Sequence, residues 1–309
     1  MTLSFPVRPQ QQGWLLRDVL RSCGVSSTMI RAVKRDAGFF LDGLGVHTDV
    51  RVQAGQQVSF ALPQEPASDV QPQPIPLQVC YCSEHTLVLD KPAGMAVHPT
   101  LNYKEGTLAN GYCFLAAQKG WNGVFRPLNR LDRDTSGLVL CAQNAFAAPL
   151  LAQQVHKVYY AVVQGRMPLG SGRVDAPIDR APGSIIQRCV SPQGKPSRTD
   201  YQVLAADGDH SLLRLVLATG RTHQIRVHMA SIGHPLAGDD LYGGSRQWIG
   251  RHALHCGSLT FTEPLGGGVH RTVSGLPRDL CALAARMGLS EANLAELDPT
   301  LMGAEVLPG

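Results

Sequence analysis

The run Asn129-Arg130-Leu131-Asp132-Arg133-Asp134-Thr135-Ser136-Gly137 has the most chemically suggestive spacing in the chain. A carboxylate, Asp132, sits in a polar, turn-like segment that feeds an apolar strand, with an arginine on either side. A carboxylate beside fixed cations stays ionised at neutral pH and can act as nucleophile or base. Taken alone, the same residues also describe a surface loop with a salt bridge.

Competing constellations are weaker. His223 and His228 are five apart, whereas helical zinc pairs of the HExxH kind need four with a glutamate between them, so no metal site is expected. Gly194-Lys195 lacks the leading glycine of a phosphate loop, and Pro196 stands where Ser or Thr is needed. Ser136 is not in a GxSxG elbow. Asp132 and Asp134 could be posed as a glycosidase pair. Two residues apart and flanked by arginines, they read better as one functional group and one turn former.

The elements that must position Asp132 are legible around it. From residue 79 onward short β-like runs alternate with mixed segments: LVLD at 87–90, LVLC at 138–141, VYYAVV at 158–163 and LLRLVL at 212–217. Many strands and few long helices predict an α+β domain on a mixed or antiparallel sheet. THQIRVHMASIG predicts a helix capped by Thr222, with Ile225, Met229 and Ile232 on one face and Gly233 as the stop. The segment 276–297 predicts one or two further helices, and residues 290–309 are set apart as a C-terminal tail.

Ahead of this block, residues 14–62 read as a small α/β module. Trp14–Leu20 opens a helix, and Ser26 or Ser27 caps a second carrying Met29, Ile30 and Val33 before Gly38. FFL runs into the Asp42–Gly43 turn, and VRVQAGQQVSFAL alternates like a closing hairpin. Five prolines between Pro63 and Pro76 predict a stiff linker. The expected division is therefore 1–65, a linker at 66–78, a main domain at 79–289 and the tail.

Composition bounds the reading. The 309 residues are 44% hydrophobic and 17% charged, enough for a substantial core and against wholesale disorder. A net charge of +4 is mildly basic, compatible with a nucleic-acid partner without establishing one. No apolar run is long enough to span a bilayer, and the first residues lack a secretory layout, so a cytoplasmic protein is expected. Eight scattered cysteines without a CxxC pair read as free thiols.

Three segments in order, LVLDKPAGMAVHPT (87–100), the run 129–137 and TGRTHQIRVHMASIGHPLAGDDLYGG (219–244), resemble the three blocks of the RluA family of pseudouridine synthases. KVYYA (157–161), GKPSRTDYQVL (194–204) and HALHCGSLTFTEP (252–264) extend the resemblance over roughly residues 79 to 280. It implies an enzyme that isomerises uridine in ribosomal or transfer RNA, without cofactor or metal. By that resemblance Asp132 is the essential aspartate, with Arg130 in the same core motif, and Tyr159 stacks on the target base. Arg226 pairs with the aspartate, Arg221 being the alternative, and Leu254 packs beneath the base. Asn129 departs from the family's usual histidine, which puts local hydrogen bonding in question. His223 and His228 are then structural or RNA-facing.

The N-terminal module resembles an S4 RNA-binding domain. Arg31, Lys34 and Arg35 recur at helical spacing opposite the apolar positions, a basic stripe that is either an RNA contact or an ordinary solvated face. Two other classes stay in view: a pure RNA-binding factor, which would lack Asp132 with its partners, and a sugar-cleaving hydrolase, which would release free base. A monomer acting on structured RNA is the expectation.

Overall fold

The computed structural model describes residues 1–66, 68–100, 103–153 and 155–303. An N-terminal strand that the pattern reading leaves out, β1 (Thr2–Pro6), turns Leu3 and Phe5 inward. Helix α1 (Leu16–Ser22) follows, then α2 (Ser27–Asp36), capped by the Ser26 hydroxyl, which accepts the Met29 N–H at 3.1 Å. Met29, Ile30 and Val33 face the core as expected, and Gly38 (φ 77°) ends the helix segment. Strands β2 (Phe39–Leu41), β3 (Leu44–Val46) and β4 (Gln57–Ala61) complete a four-stranded sheet of order β1-β4-β2-β3.

The hairpin expected across 50–62 does not form. Gly55, at φ 87°, turns the chain and donates its N–H to Val7, while Val52 donates to Trp14. β4 then pairs with β1 over five residues and with β2 on its other edge.

The proline-rich stretch is not a free spacer either. Glu65 pairs with Arg126 and Asn122, the Gln73 N–H meets the Asn110 carbonyl at 3.1 Å, and Asn110 Nδ2 returns to Gln71 O at 2.8 Å. Lacking regular backbone partners of its own, the segment satisfies its polar groups on the domain beneath it. It is a strap. Phe146, from the far side of the strap, is buried in the module's own core, with its ring 6.0 Å from that of Phe5.

The main domain runs β5 (Gln78–Cys82), β6 (Thr86–Lys91), α3 (Leu108–Lys119), β7 (Ser136–Ala142), α4 (Ala147–Gln153) and β8 (His156–Gln164). Then come β9 (Gly170–Asp175), β10 (Ile178–Arg180), β11 (Arg188–Val190), β12 (Arg198–Ala206), β13 (His210–Leu217) and α5 (Gln224–Ser231). β14 (Leu254–Thr262), β15 (Val269–Val273), α6 (Arg278–Arg286) and α7 (Glu291–Leu297) close the chain. One nine-stranded sheet has the order β5-β6-β7-β14-β8-β13-β12-β9, with β15 also on β14. Every pairing in it is antiparallel except β7 with β14, a parallel seam of two residue pairs, His255↔Ser136 and Cys256↔Gly137. The mixed-sheet α+β expectation holds.

That seam requires a glycine. Gly137 has φ 110°, and a Cβ there would stand 2.3 Å from the Cys256 carbonyl oxygen. β10 and β11 form a separate two-stranded hairpin. Residues 290–303 are not a tail: Leu294 and Leu301 are buried beside Tyr160, Leu280 and Leu283, and Asp298 accepts the Tyr160 hydroxyl. Among the described residues, no helix is long and apolar enough to cross a membrane.

Candidate active site

Asp132 stands on the loop between α3 and β7, just before the seam. Thr135 closes a turn there by donating its N–H to the Asp132 carbonyl at 3.1 Å. The carboxylate is partly open, its side chain 19% exposed. Neither flanking arginine reaches it. Arg133 turns away to Asp134, at 2.9 Å, and to the Tyr103 hydroxyl, while Arg130 is exposed at the rim. The cation that faces Asp132 comes from 94 residues further on: Arg226 Nη1 lies 3.2 Å from Asp132 Oδ2. The local run suggests the flanking arginines as the cations beside Asp132, whereas the family resemblance implies Arg226, and Arg226 is the one that the fold places there.

Arg226 is aimed by its helix. α5 turns Ile225 and Met229 into the core, which leaves Arg226 one residue around from Ile225, on the loop side. The cap expected from Thr222 is absent. His223 is the cap residue, in the left-handed region at φ 57°, an uncommon place for a residue with a Cβ. Ile232, expected on the apolar face, is 39% exposed, because the helix has already ended at Ser231.

The guanidinium has a second, stronger partner. Arg226 Nε and Nη2 donate to Asp239 Oδ2 and Oδ1, both at 2.7 Å, in a buried fork. Burial alone would lower the affinity of Arg226 for its proton; the bonds and charges of Asp239 and Asp132 more than reverse that. The Tyr242 ring lies under the same cation, with the guanidinium carbon 5.0 Å from its centroid. The Tyr242 hydroxyl meets His223 Nδ1 at 2.9 Å, and His223 Nε2 is 3.7 Å from Asp132 Oδ2. Burial holds His223 below the usual imidazole range despite the nearby carboxylate.

Beneath the loop, other polar groups fix its backbone. Lys91 is fully buried and gives its ammonium to the carbonyls of Pro92 (2.9 Å), Met95 (2.8 Å) and Arg133 (3.0 Å). Burial pushes its pKa down to about 7. Arg251 donates to the Asp134 carbonyl at 3.0 Å, and His252 Nε2 meets the Thr135 hydroxyl at 2.7 Å. Asn129 answers the question its departure raised: Nδ2 donates to Leu138 O at 3.0 Å and Oδ1 accepts the Leu140 N–H at 2.8 Å, tying the loop to β7.

All six residues singled out in the main domain, Arg130, Asp132, Tyr159, Arg221, Arg226 and Leu254, line one cleft. Tyr159 on β8 and Leu254 on β14 come from adjacent strands and are both 5% exposed. Arg221 is at the exposed rim, 3.4 Å from the Pro196 carbonyl, and does not pair with Asp132. His228 is structural, bonded to Thr199 and Ala176 O. The basic stripe of α2 is exposed and is not among the residues that line the cleft. Arg35 pairs with Asp36 at 2.6 Å, and Arg31 bonds back to Ser27 O at 3.4 Å.

Asp239, Tyr242, Lys91 and His252 had no expected role, and His223, expected to be structural or RNA-facing, lies with Nε2 3.7 Å from Asp132 Oδ2. Asp239 and Tyr242 lie within the GDDLYGG stretch and Lys91 within LDKP, so the signal was present as unassigned polar residues inside apolar blocks. Among the described residues, no group of three or more metal-ligating side chains converges.

Comparison with known proteins agrees with this geometry. The sequence pattern of the family described as RNA pseudouridylate synthase matches residues 85–231. A Bacillus subtilis (strain 168) protein named as an uncharacterized RNA pseudouridine synthase, YjbO, is 40% identical over 268 residues, covering 84% of this chain and 94% of that one. Ribosomal large subunit pseudouridine synthase D of Xanthomonas campestris pv. campestris is 37% identical over 276 residues, 83% of each chain. The solved structure of human RNA pseudouridylate synthase domain containing 1 superposes with a TM-score of 0.53 at 26% identity, over 77% of this chain and 90% of that one. With the cleft, its carboxylate and its cation in place, the chain belongs to the RluA-type family of RNA pseudouridine synthases.

Proposed function

We propose that Asp132 is the catalytic carboxylate of a uridine-to-pseudouridine isomerisation, with Arg226 as its cation and Tyr159 and Leu254 as the walls that retain the detached base. The observation that carries this reading is the Arg226–Asp132 pair at 3.2 Å in a cleft that Tyr159 and Leu254 line. The reaction breaks N1–C1′, turns the uracil and joins C5 to C1′, with the C5 proton lost and N1 protonated. No electron is transferred and no group is gained, so the chemistry calls for no redox cofactor. A target inside folded RNA must first leave its stack, at a cost of a few kcal/mol. Stacking on an aromatic ring such as Tyr159 returns about 1–3 kcal/mol.

The substrate in this reading is structured ribosomal RNA. Support comes from relatives named for the large ribosomal subunit, with transfer RNA as the alternative. Residues 1–65 serve as an S4-like RNA-binding module through Arg31, Lys34 and Arg35, Arg130 and Arg221 hold phosphates at the rim, and the protein works in the cytoplasm as a monomer. The test is a map of pseudouridines in RNA from cells with and without the gene, and in cells carrying Asp132→Asn. A ribosomal position lost in both confirms the reading. A lost transfer-RNA position moves the substrate, and unchanged modification with Asp132→Asn removes Asp132 from the chemistry.

A further inference from the structure

Two hydrogen bonds tie the β10–β11 hairpin, which also packs against α5, to Leu241 and Tyr242 beside the active site. Gln187 Nε2 donates to the Leu241 carbonyl at 3.0 Å, and the Arg188 N–H donates to the Tyr242 hydroxyl oxygen at 2.9 Å. The Arg188 N–H is free to do so because of the ladder. Ala181 N–H bonds Gln187 O, and alternation in an antiparallel pair turns the next amide outward. At the hairpin tip Ile185 and Ile186 are 82% and 59% exposed, so the tip itself packs on nothing.

Tyr242 thus has three neighbours. Its oxygen accepts the Arg188 N–H, its ring lies under Arg226, and its hydroxyl meets His223 Nδ1 at 2.9 Å. Because the oxygen already accepts one bond, its own proton is free to donate to Nδ1. That assigns the imidazole hydrogen to Nε2, the nitrogen facing Asp132 at 3.7 Å. His223 itself sits in the left-handed region, at φ 57°, a conformation that persists only because its surroundings hold it.

We propose that the Tyr242 hydroxyl is a positioning group that couples the hairpin to the catalytic carboxylate, setting the tautomer and place of His223 opposite Asp132 only while the hairpin is docked. This rests on the reading of Asp132 as the catalytic carboxylate. A hairpin seated by RNA then completes the site, and a displaced hairpin releases His223.

Tyr242→Phe keeps the ring under Arg226 and removes only the hydroxyl. The expected result is a single-turnover rate about tenfold lower at saturating RNA, the scale of one positioned hydrogen bond, with the half-saturating RNA concentration unchanged. In the RNA-free protein, the amides of residues 187–190 should exchange faster. Arg188→Pro deletes the same bond from the other side, at an amide that faces away from the ladder, where proline is tolerated. Arg188→Ala keeps the amide and controls for the lost side chain. Arg188→Pro should match Tyr242→Phe in rate, Arg188→Ala should stay near native at saturating RNA, and the double variant Tyr242→Phe/Arg188→Pro should be no slower than Tyr242→Phe. A native rate in Tyr242→Phe, unchanged hairpin exchange, or multiplying effects in the double variant would overturn the coupling. Asp132→Asn, assayed beside them, separates the two readings. If it still isomerises RNA, the assignment of the site fails. If it is dead and Tyr242→Phe is native, only the coupling fails.

Discussion

Asp239 takes two hydrogen bonds of 2.7 Å from Arg226, through Nε and Nη2, and so leaves Nη1 as the nitrogen that faces Asp132. The arginine at Asp132 is therefore fixed by a second carboxylate, whose side chain is only 1% exposed. Only a planar fork can satisfy both at once.

Arg226→Lys should accordingly be non-conservative. It keeps the charge but cannot hold Asp239 with two bonds and still reach Asp132. Isomerisation should fall by about a hundredfold or more at saturating RNA, with affinity little changed. Arg221→Met should do the reverse, weakening binding and flattening its salt dependence by roughly one unit of slope per phosphate contact. Rapid-quench rates and binding titrations across salt concentrations measure both.

Lys91→Met should strike the loop from below. Three carbonyls lose the fully buried donor they share, one of them that of Arg133, next to Asp132. A loss of about 3 kcal/mol in urea unfolding is expected, at about 1 kcal/mol or more per orphaned group. Turnover should fall as well, because the loop backbone is no longer held.

His252 predicts a pH signature. Its burial, with Arg226 nearby, lowers its pKa to about 4 from 6.5. Between those values the unfolded chain binds a proton that the native chain refuses. Its contribution to stability is full above pH 6.5 and is lost as the pH falls toward 4. Urea midpoints measured from pH 7 to 4.5 should drop less steeply in His252→Gln than in the native protein. Parallel slopes would show that other groups govern the acid limb.

For the N-terminal module, truncation is the wrong experiment, since removing it would uncover Phe146 and the strap contacts. Replacing Arg31, Lys34 and Arg35 by Gln leaves the docking intact. Weaker RNA binding with a shallower salt slope and an unchanged single-turnover rate is the expected outcome. Of the three, Arg35 should matter least, because Asp36 already pairs with it. Unchanged affinity would reduce the stripe to a solvated helix face.

What was legible in the sequence was local. Asp132, Tyr159 and Leu254 each sit in a short run whose pattern alone predicts a turn or a strand, and the sheet then brings the three runs together. The choice between Arg221 and Arg226 was not local. It depended on where α5 starts, and the true cap, His223, has a backbone conformation that no propensity favours. Asp239 escaped because a buried charge declares its purpose only through its partner, here 13 residues away, and Lys91 because its partners are backbone carbonyls, the one beside Asp132 being 42 residues away. The strap was misread for a related reason. Prolines and polar residues do exclude a regular element, but they say nothing about whether another surface supplies the missing hydrogen bonds.

The packing of residues 290–303 has a consequence for how the protein is made. Leu294, Leu301 and Asp298 complete the core around Tyr160, on the β8 strand that also carries Tyr159. Asp298 lies 138 residues beyond Tyr160, so β8 stays uncovered on that side until this later segment folds back onto it. The N-terminal sheet and its helices, by contrast, have most of their own core within the first 62 residues. During translation the N-terminal module can form from its own residues, while the sheet that carries the cleft waits for a segment made much later.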